Sequence, residues 1–226
     1  GVYNVRYHRV PITDESPPVE SDFDVISSCM GSSMDKMAFV FNCQLGRGRT
    51  TTGMVIACII WRSISGLAFN AVEWDMPGIK MVPSGDDAGA GDVMSEEGGD
   101  LQWGEYEAVL EFVQRLPSGP TRKQFVDAAI NKCSHMQNLR EDIMLKKKRS
   151  ETHPSPFKRA QELEVGLKYL ERYIFLILFN TYVCTFFDTS SSLFQYGKKP
   201  LTFKEWIVEQ NDSLELYSLI DGLELA

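Results

Sequence analysis

Histidine is scarce in this chain, with three in 226 residues, and cysteine is thinly spread: Cys29, Cys43, Cys58, Cys133 and Cys184 form no CxxC pair. No histidine stands at zinc-ligand spacing from any of them, which excludes a zinc-ribbon or zinc-finger site, and an odd, scattered set of thiols excludes a disulfide scaffold. Free thiols of this kind fit a reducing compartment, so the expected location is the cytoplasm. No apolar run reaches the roughly 18 to 20 residues that a membrane-spanning helix requires. The longest, Tyr173–Phe187, is interrupted by Asn180 and Thr181 and bounded by Arg172 and Asp188. It reads as a buried core helix, and any membrane contact is expected to be peripheral. A Walker-type nucleotide loop is also missing, because the stretch from Gly46 to Thr51 contains no lysine. Nothing signals nucleic-acid binding, and no metal or other cofactor is called for.

The net charge of −8 looks unfriendly to an anionic ligand, but it is localised. Between Glu73 and Glu107 there are ten acidic residues and one lysine, so this stretch carries −9 and the rest of the chain +1. Residues 66–102 are therefore expected to contain an acidic insertion, disordered where Gly, Asp, Glu and Ser dominate between Pro77 and Gly99. The remaining 43% of apolar residues suffices for one sizeable domain, expected over 1–190, with a helical C-terminal extension over 191–226. The chain opens at Gly1 and passes at once into strand-like Val2–Tyr7, as a piece of something longer would.

Residues 2–10 read as a strand and Pro11–Glu20 as a loop. Ser21 is placed to cap a helix that buries Phe23 and Ile26. Met37–Phe41 is a short apolar run of the kind found in strands covered on both faces, and it delivers the chain to Cys43. Thr50–Thr52 are expected to cap an apolar helix from Gly53 to about Ser65. Further helices are expected at 105–116, 121–133, 139–149 and 157–187, and Thr202-Phe203-Lys204-Glu205 has capping-box spacing.

The chemistry concentrates in Cys43-Gln44-Leu45-Gly46-Arg47-Gly48-Arg49-Thr50. A phosphate monoester dianion repels an anionic nucleophile, so a protein attacking it with sulfur has to neutralise the oxygens while keeping the sulfur ionised. Five residues between Cys43 and Arg49 let the backbone curl with its N–H groups inward. The following helix adds its positive end, and the arginine forks onto two oxygens. The same field depresses the cysteine pKa. Gly46 and Gly48 supply the backbone freedom, while Gln44, Leu45, Gly46, Arg47 and Gly48 form the substrate cradle. Thr50 is placed to donate its hydroxyl to the sulfur. The plainer reading is a free cysteine ending a buried strand, with the glycines making a turn.

A leaving alkoxide needs a proton. Asp14, in the loop Arg9–Glu15 and 29 residues before Cys43, is the candidate donor. Glu15 is its rival, and an Asx-turn role is the structural alternative. Arg47, between the two glycines, is read as a second cation at the mouth, suited to substrates with several phosphates. Asp22 and Asp24 read as first-turn helix residues. Lys146–Arg149 with Lys158 and Arg159 reads as a solvated helix face, with a lipid or polyphosphate contact as the alternative.

These residues resemble the cysteine-phosphatase superfamily and, within it, the paladin-like group related to tyrosine-phosphatase-like inositol phosphatases. The resemblance is carried by Tyr7–Glu15, by Phe41–Cys58, by Gln137–Glu141 and by Tyr169–Tyr173. It implies an α/β fold, a sheet flanked by helices with a helical C-terminal part, either incomplete here or one of several tandem modules. It also implies metal-independent hydrolysis through a phosphocysteine, with inositol phosphates, phosphoinositides or phosphoproteins as substrates. Asn42 stands where active members usually have His, which supports a second reading: a phosphatase-like module that binds phosphorylated ligands as a scaffold or sensor.

Overall fold

A computed structural model describes residues 5–30, 37–64, 101, 103–193 and 201–225. Eight helices run through them: α1 (Glu20–Met30), α2 (Gly48–Ile64), α3 (Glu107–Arg115), α4 (Gly119–Cys133), α5 (Leu139–Thr152), α6 (Pro156–Leu193), α7 (Phe203–Leu214) and α8 (Leu216–Asp221). The acidic insertion expected within 66–102 lies outside the described residues, apart from Leu101.

The expected α/β sheet is corrected by the structure, because there is no strand among the described residues. Residues 37–43 are extended, but nothing described pairs with them, and a strand exists only through its ladder of backbone bonds. Burial alternates along the segment. Phe39 and Phe41 pack on the core, whereas Val40 is 88% exposed, so a run expected to be covered on both faces is covered on one. Residues 5–13 likewise carry no regular structure, and Val5 and Tyr7 are exposed. Apolar composition alone suggested a strand pattern; it could not supply the partner.

The helices form because their apolar stripes can be buried together. The centre of α6 is the axis of the molecule: Leu170, Tyr173, Ile174, Leu176, Ile177, Leu178 and Phe179 are fully buried. Such all-round burial explains why Tyr173–Phe187 reads as one apolar run without crossing a membrane. Nearer its start α6 is one-sided, and Leu163 is exposed. Phe23 of α1 joins Phe179 of α6 and Phe203 of α7, each at a ring-centroid distance of 5.0 Å. Truncating such a buried ring to Ala costs about 3–5 kcal/mol.

Two caps fasten α7 to this core. Thr202 and Glu205 make the expected capping box, with Glu205 N–H donating to Thr202 Oγ1 at 3.2 Å and Thr202 N–H to Glu205 Oε2 at 2.8 Å. Asp24 reaches across from α1 and accepts the N–H groups of Phe203 and Lys204, at 2.6 and 3.2 Å. It therefore stabilises the start of α7 rather than that of its own helix. Burial raises the Asp24 pKa, opposed by those two hydrogen bonds.

A polar knot sets the rotation of α6 against α4 and α5. Asp127 accepts from Tyr173 Oη and pairs with Lys123 at 2.9 Å and Arg140 at 3.6 Å. Arg140 also donates to Asn131 Oδ1. Burial first, and Asp127 second, push the Tyr173 pKa well up, so its proton stays available for the bond.

Candidate active site

Helix α2 begins at Gly48, five residues before the Gly53 start expected from the sequence. Thr51 and Thr52 do not cap forward. Their hydroxyls bond back to the carbonyls of Arg47 and Gly48, at 3.1 and 2.8 Å, and Thr51 N–H meets Arg47 O at 2.8 Å. The consequence is functional, because Gly48, Arg49 and Thr50 become the first turn of the helix. Cys43 therefore faces a positive dipole end.

Upstream, the extended segment is pinned by Phe41, whose ring lies 2.7 Å from where a Cβ on Gly53 would stand. Only a glycine in α2 lets the ring approach so closely, and that contact fixes the chain two residues before the sulfur. Gly46 has φ +68°, which L side chains rarely adopt, and turns the loop back toward α2. Met136 and Gln137, in the connection from α4 to α5, cover the loop: Met136 Cε and Gln137 Oε1 come within 3.6 and 3.1 Å of the Cβ positions of Gly46 and Gly48.

The loop acts on the thiol. Partial burial raises the Cys43 pKa, but the Thr50 hydroxyl and the backbone N–H groups of Thr50, Arg47 and Leu45 outweigh it and bring it to about 7. The Thr50 hydroxyl is buried and has no hydrogen bond of standard geometry, so its effect on the sulfur is that of a close dipole. Near neutral pH about half of Cys43 is thus thiolate.

Asp14 lies beside this loop: Arg49 Nη2 is 3.3 Å from Asp14 Oδ1. The arginine is mostly buried and the aspartate 66% exposed. Asp14 sits in a turn closed by Ser16 N–H to Thr13 O at 3.3 Å, and its carboxylate accepts Glu15 N–H at 3.2 Å. Glu15 takes a left-handed φ of 55°, a strained setting for a side chain that competes for the donor role. The carboxylate bonds the next N–H rather than the one two residues on that an Asx turn requires, and it also lies beside Arg49. Arg49 Nε is buried and without a hydrogen-bond partner, which leaves donors on the guanidinium for an oxyanion.

The structure thus brings together Cys43, Arg49, Thr50 and Asp14 with the backbone of Gln44–Gly48. Gln44, Leu45 and Arg47 expose their side chains to solvent, and the Leu45 N–H is among the groups that lower the Cys43 pKa. The His8 side chain is exposed, and among the described residues no cluster of three or more His, Cys, Asp or Glu is placed to hold a metal ion. One neighbour escaped the sequence reading. Arg172, noted as the polar boundary of an apolar run and within the Tyr169–Tyr173 resemblance but given no role, is buried against Gly48. The available signal was a cation directly before an apolar run in the middle of a long helix.

Among the described residues no helix is long and apolar enough to cross a membrane. The family model for PTP-like phytase, described by inositol hexakisphosphate, matches residues 2–61, the part that holds the loop and Asp14. Paladin from Gallus gallus is 32% identical over 227 residues, covering 97% of this chain and 23% of that protein. Paladin from Homo sapiens is 32% identical over 231 residues, with 97% and 24% covered, and that from Xenopus tropicalis is 35% identical over 190 residues, with 78% and 19% covered. The chain therefore spans about a quarter or less of the length of the curated relatives it matches. No solved structure matches it significantly. The phosphate-type loop and the similarity along nearly the whole chain agree, and the chain belongs to the paladin-like, PTP-like phosphatase family.

Proposed function

We propose that this chain hydrolyses phosphate monoesters through a phosphocysteine. The observation that carries the reading is the geometry of the loop: Cys43 precedes the first turn of α2 at Gly48, Gly46 turns the backbone at φ +68°, and Arg49 stands 3.3 Å from Asp14, a setting that lowers the Cys43 thiol to about 7. In the proposed reaction the thiolate attacks phosphorus, and Arg49 with the loop amides takes up the equatorial charge. A phosphoryl group seated on Arg49 takes up guanidinium donors with the Asp14 side chain beside it. In its acid form Asp14 gives its proton to the leaving oxygen. In the second step Asp14 takes a proton from water as the oxygen attacks phosphorus, the sulfur leaves as thiolate, and inorganic phosphate is released.

The substrates we propose are inositol phosphates, phosphoinositides or phosphoproteins. Arg47, exposed on the loop, suits the first two, since it can meet charge outside the scissile phosphate. The deciding experiment measures turnover of inositol hexakisphosphate, a phosphoinositide and a phosphotyrosine peptide by the wild type and by Cys43→Ser. Release of phosphate by the wild type, lost in the variant while oxyanion binding persists, supports catalysis. Hydrolysis that survives in Cys43→Ser removes the nucleophile assignment. One observation favours a second reading: Asn42, next to the sulfur, brings no cationic donor. Tight oxyanion binding without turnover would identify a phosphate-sensing module.

A further inference from the structure

Burying a guanidinium is costly unless its donors are used, and Arg172 is 2% exposed. No carboxylate among the described residues lies within ion-pair distance of it, although Asp14, Glu15 and Asp142 all act on it at longer range. What it does touch is specific. Nη2 donates to the carbonyl of Ser16 at 2.9 Å, across 156 residues of sequence. Nη1 lies 3.3 Å from the Cβ position of Gly48. The guanidinium carbon stands 4.8 Å from the centre of the Tyr169 ring, which holds its plane.

One side chain therefore meets both halves of the site: the Thr13–Ser16 turn that carries Asp14, and the loop residue that begins α2. Its own placement is not adjustable, because the adjacent Tyr173 is locked to Asp127 and the helix cannot rotate without breaking that knot. The Asp14 turn has few other anchors. Asp14 and Glu15 are exposed, and the turn's own bonds run only between neighbours.

We infer that Arg172 is a positioning residue, a clamp that holds the Asp14 turn over the phosphate loop so that the carboxyl stays beside Arg49. The catalytic consequence rests on the phosphatase reading, but the clamp itself does not. Gly48 matters to it for space: a side chain there would meet Arg172 and Gln137 first.

The test uses the full chain with Arg172→Met, Arg172→Lys, Asp14→Asn and the Asp14→Asn/Arg172→Met pair. Each is assayed on p-nitrophenyl phosphate, whose leaving group scarcely needs a proton, and on an alkyl monophosphate, whose leaving group does. Proton donation by a placed acid contributes roughly 100-fold or more. Arg172→Met is therefore expected to lower kcat on the alkyl ester by at least about ten-fold, with less than a few-fold loss on the aryl ester. The double variant should be no slower than Asp14→Asn, and Arg172→Lys should recover part of the loss. Equal slowing of both esters, or additive losses in the double variant, overturns the inference.

Hydrogen exchange supplies a readout that needs no turnover. In Arg172→Lys, which keeps the charge and the stem should Arg172→Met not fold, amides of Ile12–Ser16 are expected to exchange faster while those of Val55–Ile60 in α2 keep their protection. Unchanged exchange at Ile12–Ser16, or equal loosening of α2, overturns the clamp. If the wild type hydrolyses neither ester the phosphatase reading has failed, and exchange alone then decides what Arg172 does.

Discussion

The ionisation of Cys43 can be read without any substrate, from the pH dependence of alkylation. With a pKa of about 7 against an ordinary 9.0, the thiolate fraction at pH 6 is roughly a tenth rather than roughly a thousandth. A lower pKa also makes a weaker nucleophile, with a sensitivity of about 0.4–0.5 per pKa unit, so about ten-fold of that hundred-fold gain is given back. Cys43 should therefore react with iodoacetamide about ten-fold faster at pH 6 than a small thiol of pKa near 9. The sign reverses at alkaline pH: above about 9 both thiols are ionised, and Cys43, the weaker nucleophile, should become the slower by up to about ten-fold. Mass spectrometry of the peptide carrying Cys43 follows it separately from Cys58, whose thiol packs beside buried Cys133. Thr50→Val removes the hydroxyl contribution but leaves the three backbone N–H groups. Its midpoint should move up by about one unit, and its pH 6 rate should fall several-fold. A midpoint near 9 in the wild type, or no movement in Thr50→Val, would refute the assignment of the loop donors as the cause of the lowered pKa.

Asp14→Asn should slow alkyl phosphates by roughly 100-fold or more while changing stability by less than about 1 kcal/mol, since its ion pair with Arg49 is largely exposed on the aspartate side; kinetics and denaturant titration measure the two. A comparable kinetic loss in Glu15→Gln instead would transfer the donor role. Arg47→Ala should raise KM for inositol polyphosphates about ten- to a hundred-fold, with little change on a simple monophosphate; uniform weakening would point to phosphoprotein substrates. Gly119→Ala should be among the most damaging substitutions far from the site, because the new Cβ would stand 1.8 Å from the Val113 carbonyl oxygen. A loss beyond about 3 kcal/mol in urea unfolding is expected, and a small one would show that the turn between α3 and α4 can shift.

The helices were legible because each carries a local signature: the apolar run of α6, the prolines bounding α4 and α6, and the Thr202/Glu205 box at α7. The loop was legible for the same reason, since eight consecutive residues hold the sulfur, the arginine and the glycines that bend the backbone around them. Asp14 was separated from them by 29 residues, and composition could nominate it but not bring it to 3.3 Å from Arg49. Strand pairing was the largest misreading. The apolar pattern of Met37–Phe41 records what a segment can bury, whereas a ladder depends on a second segment that the pattern does not contain. Thr51 and Thr52 bond backward to carbonyls four residues before them as α2 starts at Gly48, a local arrangement, whereas tertiary structure alone decided that Asp24 caps a helix 179 residues away. It also placed Arg172, 156 residues from Ser16, against the turn that carries Asp14. Sequence by itself determines the chemistry a short segment can perform, because that chemistry rests on neighbouring atoms. Which distant charges lean on the segment is set by packing, because a buried cation takes its role from whatever the fold puts beside it.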